Sequence, residues 1–203
     1  MKEIKVYSFD ELSRSARAEA CQQVGDSMTN NEYWCDDTFD LFVERCKDYG
    51  MNVDSEDIYF TGFGSQGDGA SFTCHDIETE KLLQSLGIQV RDGLKEKVLD
   101  YIYEVNIIRS SDRAYHEETV HTEILVDEDA LVEEEEGIIQ YIHDIVDTLE
   151  FKLEKLKNNL CRQLYNELEQ ECNYFYSTEY VDELAYDNKM LFLANGLVYD
   201  WGE

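Results

Sequence analysis

Ile58–Cys74 reads IYFTGFGSQGDGASFTC: two aromatic, strand-like ends, Ile58–Phe63 and Ala70–Cys74, joined through the densest glycine run in the protein. Gly62, Gly64, Gly67 and Gly69 permit backbone angles and close approaches that a side chain forbids, so the run predicts a tightly bent hairpin. Ser65, Gln66 and Asp68 are the polar residues this hairpin displays, with Gln66 and Asp68 placed to bond the turn backbone. The loop lacks the Gly-Lys-Ser/Thr ending of a P-loop, and no helical pattern follows it to present an N-terminus to phosphate.

Outward from the hairpin, Trp34, Leu41, Phe42, Cys46 and Tyr49 predict a buried helix face over Glu32–Tyr49, with Gly50 as its cap. Before it, Ser8-Phe9-Asp10-Glu11 fits a capping box opening a helix over Phe9–Val24, and Ile4–Tyr7 reads as a short strand. After the hairpin, Leu82, Leu83, Leu86, Val90, Leu94 and Val98 predict helix over Thr79–Leu99, interrupted near Gly87. The pattern then switches to period two. Tyr101–Arg109 puts Tyr103, Val105 and Ile107 on one face and Glu104 and Asn106 on the other. Tyr115–Val126 groups Val120, Ile124 and Val126, with His116 on the apolar face by parity and His121 on the polar one. The turn Ser110-Ser111-Asp112-Arg113 makes these two a second hairpin.

The rest is helical. Ile138, Ile142, Ile145, Leu149, Leu153, Leu156, Leu160, Leu164 and Leu168 recur in near-heptad steps, predicting one long helix of on the order of 50 Å. Its stripe is expected to pack on the sheet, with a homodimer through this helix as the alternative. Ser177 caps a short helix through Leu184, and Met190–Leu193 and Leu197–Trp201 close the chain around Asn195-Gly196 in a type I′ turn. The fold class expected is α+β, an antiparallel sheet of hairpins packed by helices. It forms a single domain with a helix-plus-sheet core (1–126), an acidic segment and long helix (127–176), and a closing hairpin (177–203).

Charge narrows the function classes. Among 203 residues, Asp plus Glu number 46 against 17 Lys plus Arg, a net charge of −29 with pI near 4.2. Between Arg17 and Arg45, Lys47 and Lys81, and Arg113 and Lys152 every charged residue is acidic, and after Arg162 only Lys189 is positive. Such a field repels nucleic acid and anionic membranes and attracts basic proteins. The acidic peak, Asp127, Glu128, Asp129, Glu133, Glu134, Glu135 and Glu136, supplies the candidate partner-binding residues, as mimics of phosphate against a nucleic-acid-binding protein. No apolar signal segment opens MKEIKVYSF and no run is long enough to span a membrane, so a cytoplasmic chain with reduced thiols is expected.

No cofactor, metal or catalytic set is expected. No CxxC pair accompanies the six cysteines. His116–His121 is one residue too long for a zinc-protease HExxH and falls in a strand pattern, and the acidic clusters lack calcium-loop spacing. The hairpin candidates Ser65, Gln66 and Asp68, with Tyr115 and His116, could compose a Ser–His–Asp relay only if the fold gathers them.

YSFDELSRSARAEA at the start, IYFTGFGSQGDGASF in the middle, YHEETV after it and LCRQLYNELEQECNYFYSTEYVDEL near the end together resemble a group of small bacteriophage and prophage proteins, some labelled antitoxin-like components of toxin–antitoxin stability systems. Ser65-Gln66-Gly67-Asp68-Gly69 is the most specific part of the likeness. The resemblance implies a mobile-element origin and an accessory role inside a bacterial host. Three readings follow: a binding protein that inhibits a host nucleic-acid-handling or defence protein, an antitoxin-like neutraliser of a partner toxin, and an enzyme with its site at the hairpin and His116.

Overall fold

The computed structural model describes residues 3–110, 114–132 and 134–199. The turn residues Ser111, Asp112 and Arg113, the acidic Glu133, and Trp201 of the closing hairpin lie outside the described residues. In chain order the elements are α1 (Arg14–Thr29), α2 (Asp36–Asp48), β1 (Ile58–Phe60), β2 (Ala70–Phe72), α3 (Thr79–Ser85), α4 (Lys95–Tyr101), β3 (Ile102–Arg109), β4 (Val120–Val126), α5 (Glu128–Leu131), α6 (Glu136–Phe175) and α7 (Thr178–Asp187). The fold is α+β. The chain divides into two compact units, Met1–Asp36 with Glu167–Glu203, and Asp37–Asn166.

In the central unit, Asp37–Asn166, β1 and β2 pair antiparallel with Ile58 opposite Phe72 and Phe60 opposite Ala70, as the glycine run predicts. β3 and β4 pair antiparallel with Arg109 opposite Val120. The two hairpins do not merge into one sheet. Among the described residues their backbone ladders join at one bridge, where Cys74 and Ile107 exchange hydrogen bonds of 3.0 and 2.8 Å. Beyond Cys74 the chain turns off to pair with the segment after α2, Asn52 N–H reaching Asp76 O at 2.9 Å.

Packing explains the helix faces. Phe42 and Cys46 of α2 are fully buried, and Phe42 meets Phe72 of β2 edge to face at 5.1 Å; burying one such ring stabilises by about 1.5–3 kcal/mol. Leu41, expected inside, is instead 66% exposed because it lies off this stripe. Ile142, Ile145, Leu149, Leu153, Leu160 and Leu164 form the buried seam of α6, as their spacing predicts. With 40 residues α6 runs about 60 Å.

Two strand predictions need correction. A bulge between Ile102 and Glu104 shifts the pleat, so Ile102 is buried and Tyr103 stands 61% exposed. Asn106, expected on a polar face, is buried as well, with His75 Nδ1 3.3 Å from its Oδ1. On the opposite strand, β4 starts at Val120 rather than Tyr115. Glu117–Thr119 is a 3-10 turn, and His116 is its N-cap. The parity that put His116 on an apolar face therefore does not apply.

In the other unit, Phe9, Leu12, Ala16, Ala20 and Val24 pack with Val181, Ala185 and Phe192, and the Phe9 and Phe192 rings lie 5.8 Å apart. The Ser8–Glu11 box is present, with Ser8 N–H on the Glu11 carboxylate at 3.0 Å, but it closes only a 3-10 turn. Extended Leu12 stops that turn, and Ser13 Oγ, accepting Ala16 N–H at 3.2 Å, starts α1. Ile4–Tyr7 contributes one bridge, Tyr7 to Phe192, in place of a strand. Ser177 caps α7 as expected, accepting Tyr180 N–H at 3.1 Å. The closing turn is not type I′: Asn195 keeps a negative φ, and only Gly196 is left-handed, at +96°. Gly196 N–H bonds Leu193 O and Leu193 N–H bonds Leu197 O, a three-residue loop ending in a glycine bulge.

Candidate functional site

The fold gathers the hairpin with Tyr115 and His116. A Cβ on Gly69 would lie 2.5 Å from His116 Cβ and 3.0 Å from Tyr115 O, so only glycine permits this approach. Tyr59 of β1 stacks on Tyr115 at 5.7 Å and 11°, and the Arg109 guanidinium lies 4.3 and 4.8 Å from the two ring centroids. On the other side Tyr165 of α6 packs on Phe63 at 5.4 Å and donates to Gly62 O at 3.3 Å. The hairpin is thus held at both flanks.

Asp68 and His116 serve the local backbone. The Asp68 carboxylate accepts Ser65 N–H at 2.6 Å, and Asp68 N–H returns to Ser65 O at 3.2 Å. His116 Nδ1 accepts Glu118 N–H at 3.3 Å, which places the proton of the neutral ring on Nε2. Thr119 Oγ1 bonds both the N–H and the C=O of His116. Ser65 and Gln66 are exposed at the tip. Asp68 and His116 each cap a turn, and neither bonds the other.

Below this cluster lies a residue that the sequence reading missed. Lys157 of α6 is 1% exposed, and its ammonium donates to Val120 O at 2.6 Å, Glu117 O at 3.0 Å and Glu154 Oε1 at 2.7 Å. It staples the Glu117–Val120 turn to α6. Arg162, one turn on, bonds Glu117 Oε1 at 2.8 Å. Partial burial pushes the Glu117 carboxyl up, but the Arg162 hydrogen bond, the backbone N–H of Glu117 and the Arg162 charge together outweigh it and hold the group below its usual value. A lysine within a leucine stripe was legible only as an odd member of the heptad pattern.

The acidic peak is not one uniform face. Asp127 caps α5, accepting Ala130 N–H at 3.0 Å. Glu134 is gripped by Lys97 Nζ at 2.5 and 2.7 Å and by Tyr101 Oη at 2.9 Å. The Lys97 and Tyr101 bonds hold its carboxyl below the usual range, and the Tyr101 hydroxyl is raised in turn. Glu128 lies 3.6 Å from His143 Nε2. Asp129, Glu135 and Glu136 are exposed to solvent. Further acids emerge that run lengths hid: Asp37, Asp40, Glu44 and Asp48 on α2, and Asp144, Asp147 and Glu150 on α6, all exposed. Their steps of three and four residues put each set along one helix face, visible only once acids are projected at helical period.

Several described cations of the central unit are drawn onto partners. Lys95 bonds Glu80 at 2.5 Å, Lys47 bonds Glu44 at 2.7 Å, and Lys152 donates to Leu86 O at 2.7 Å. Arg91 lies over Tyr141 at 4.4 Å. Burial pushes the Cys74 thiol up to about 11 and the Cys161 thiol to about 12, away from the reactive thiolate. Among the described residues no group of three His, Cys, Asp or Glu could hold a metal ion, and no helix is long and apolar enough to cross a membrane.

No curated protein and no solved structure matches the chain. One family does, over residues 34–178, which contain the glycine hairpin, Lys157 and the acidic stripes of α2 and α6. The chain belongs to the family described as a domain of unknown function, DUF8835.

Proposed function

We propose that this protein is an acidic binding protein of a bacterial cytoplasm, of phage or mobile-element origin, that covers the basic, nucleic-acid-handling surface of a host protein. One observation carries the reading: several cations of the central unit lie against internal carboxylates, while helical rows of further carboxylates face out on α2, α5 and the start of α6. Rows of fixed negative charge on rigid elements offer a phosphate-binding groove what a nucleic acid offers it, and the complex inherits the same release of counterions. The rows lie within residues 34–178, the part of the chain that the family covers. Six free thiols suit a reducing compartment. A basic toxin is one partner of this kind, recognised by rescue of growth on co-expression.

The turn roles of Asp68 and His116 support binding over catalysis at the hairpin, since the carboxylate and Nδ1 are already engaged. Affinity capture from host lysate, repeated at low and high salt, tests the proposal. A basic nucleic-acid-handling protein held at low salt and released at high salt is the expected result. Capture of a partner that is indifferent to salt would refute the electrostatic part of the reading.

A further inference from the structure

β4 is the outer strand of its two-stranded sheet. The Ser110 N–H to Thr119 O bond of 2.9 Å sets the phase of the ladder. In that phase His121, Glu123 and Leu125 direct their backbone groups at β3, while Val120, Thr122 and Ile124 direct theirs outward. Val120 O is taken by Lys157. Among the described residues, no backbone group bonds Thr122 or Ile124 from the outer side. An open edge of this kind is a template for another strand.

Beside the edge runs a groove of about 550 Å³ between β4 and α6, lined by His121, Thr122, Asp147, Glu150, Phe151 and Glu154. Phe151 is 62% exposed, an aromatic ring left out of the α6 seam, and Lys155 Nζ rests 4.0 Å over it. Asp147 and Glu150 are exposed on the same wall. Glu154 is already held by Lys157.

We propose that this edge and groove take an extended, basic segment of a partner protein by strand addition to β4. The backbone groups of Thr122 and Ile124 set the register. Alternate side chains of the added strand enter the groove, where an apolar one covers Phe151 and a Lys or Arg meets Asp147 and Glu150. A second copy of this chain would bring a net charge of −29 against the same carboxylates and is disfavoured as the occupant. The sign of the segment rests on the acidic-binding reading above; the addition of a strand rests on the edge alone.

The test uses the full-length protein and a synthetic octapeptide, Lys-Thr-Val-Thr-Lys-Thr-Val-Thr, which puts Lys and Val on one face, with a twin methylated on alternate backbone nitrogens. The twin keeps charge and side chains but loses the donors that face β4. Binding with amide shifts centred on residues 120–126 and 147–155, weakened at least tenfold in the twin, is the expected result. Phe151→Ala should weaken the parent peptide about tenfold with the melting temperature unchanged, since that ring is exposed. Equal binding of the twin, no binding of the parent, or shifts confined to α2 and α5 would overturn strand addition and leave the acidic-binding reading standing. Equal binding of a Ser-for-Lys peptide would instead remove the basic occupant and count against that reading.

Discussion

An ammonium group at 1% exposure is tolerable only with its protons engaged, and the three acceptors around Lys157 meet that condition. Removing the cation leaves two backbone carbonyls without their donor beneath the β4 start. Lys157→Met, close in volume, is therefore expected to cost about 3 kcal/mol, read as a lower urea midpoint with little change in slope. A second residue carries the opposite expectation. Lys189 is the one non-glycine residue among those described with a left-handed φ, 53°, where α7 ends and Met190 N–H reaches back to Ala185 O at 2.9 Å. That position favours glycine, so Lys189→Gly should raise stability by about 0.5–1 kcal/mol.

Among the elements, legibility followed how local the controlling interaction is. The glycine hairpin, the leucine stripe of α6 and the Ser177 cap are written within a few residues of themselves, and each forms as its pattern predicts. The strand failures have contacts distant in sequence. The Tyr103 bulge answers to the junction of α4 with β3, and the late start of β4 answers to Lys157, 37 residues away. The approach of Gly69 to His116 leaves no mark on either stretch alone, because a close approach depends on the partner backbone. The clasp of α4 to the segment before α6 by Lys97, Tyr101 and Glu134 gives a pH signature. The Glu134 carboxyl is depressed in the folded state, so its contribution is present above its ordinary value and lost as pH falls through the folded one. Between about pH 3 and pH 6 the wild type should therefore lose more stability with acid, read from urea midpoints, than Glu134→Gln does. An equally steep fall in the variant would assign the effect elsewhere.

At the scale of the whole molecule the net charge of −29 opposes compaction, because most carboxylates face their own kind across solvent. Salt should relieve this repulsion as the screening length shrinks from about 30 Å at 0.01 M to about 8 Å at 0.15 M. The melting temperature is expected to rise over that interval; a fall would mean that the internal ion pairs outweigh the repulsion. The same charge that taxes the free protein becomes useful on a basic surface, and the binding account stands on that exchange. Its most direct test is a competition measurement: the affinity for the captured partner across a salt series, with and without duplex DNA. The account predicts a linear fall of log affinity with log salt and displacement of the protein by DNA from a shared surface. An affinity unchanged by salt, or a partner that binds the protein and DNA at once, would contradict it.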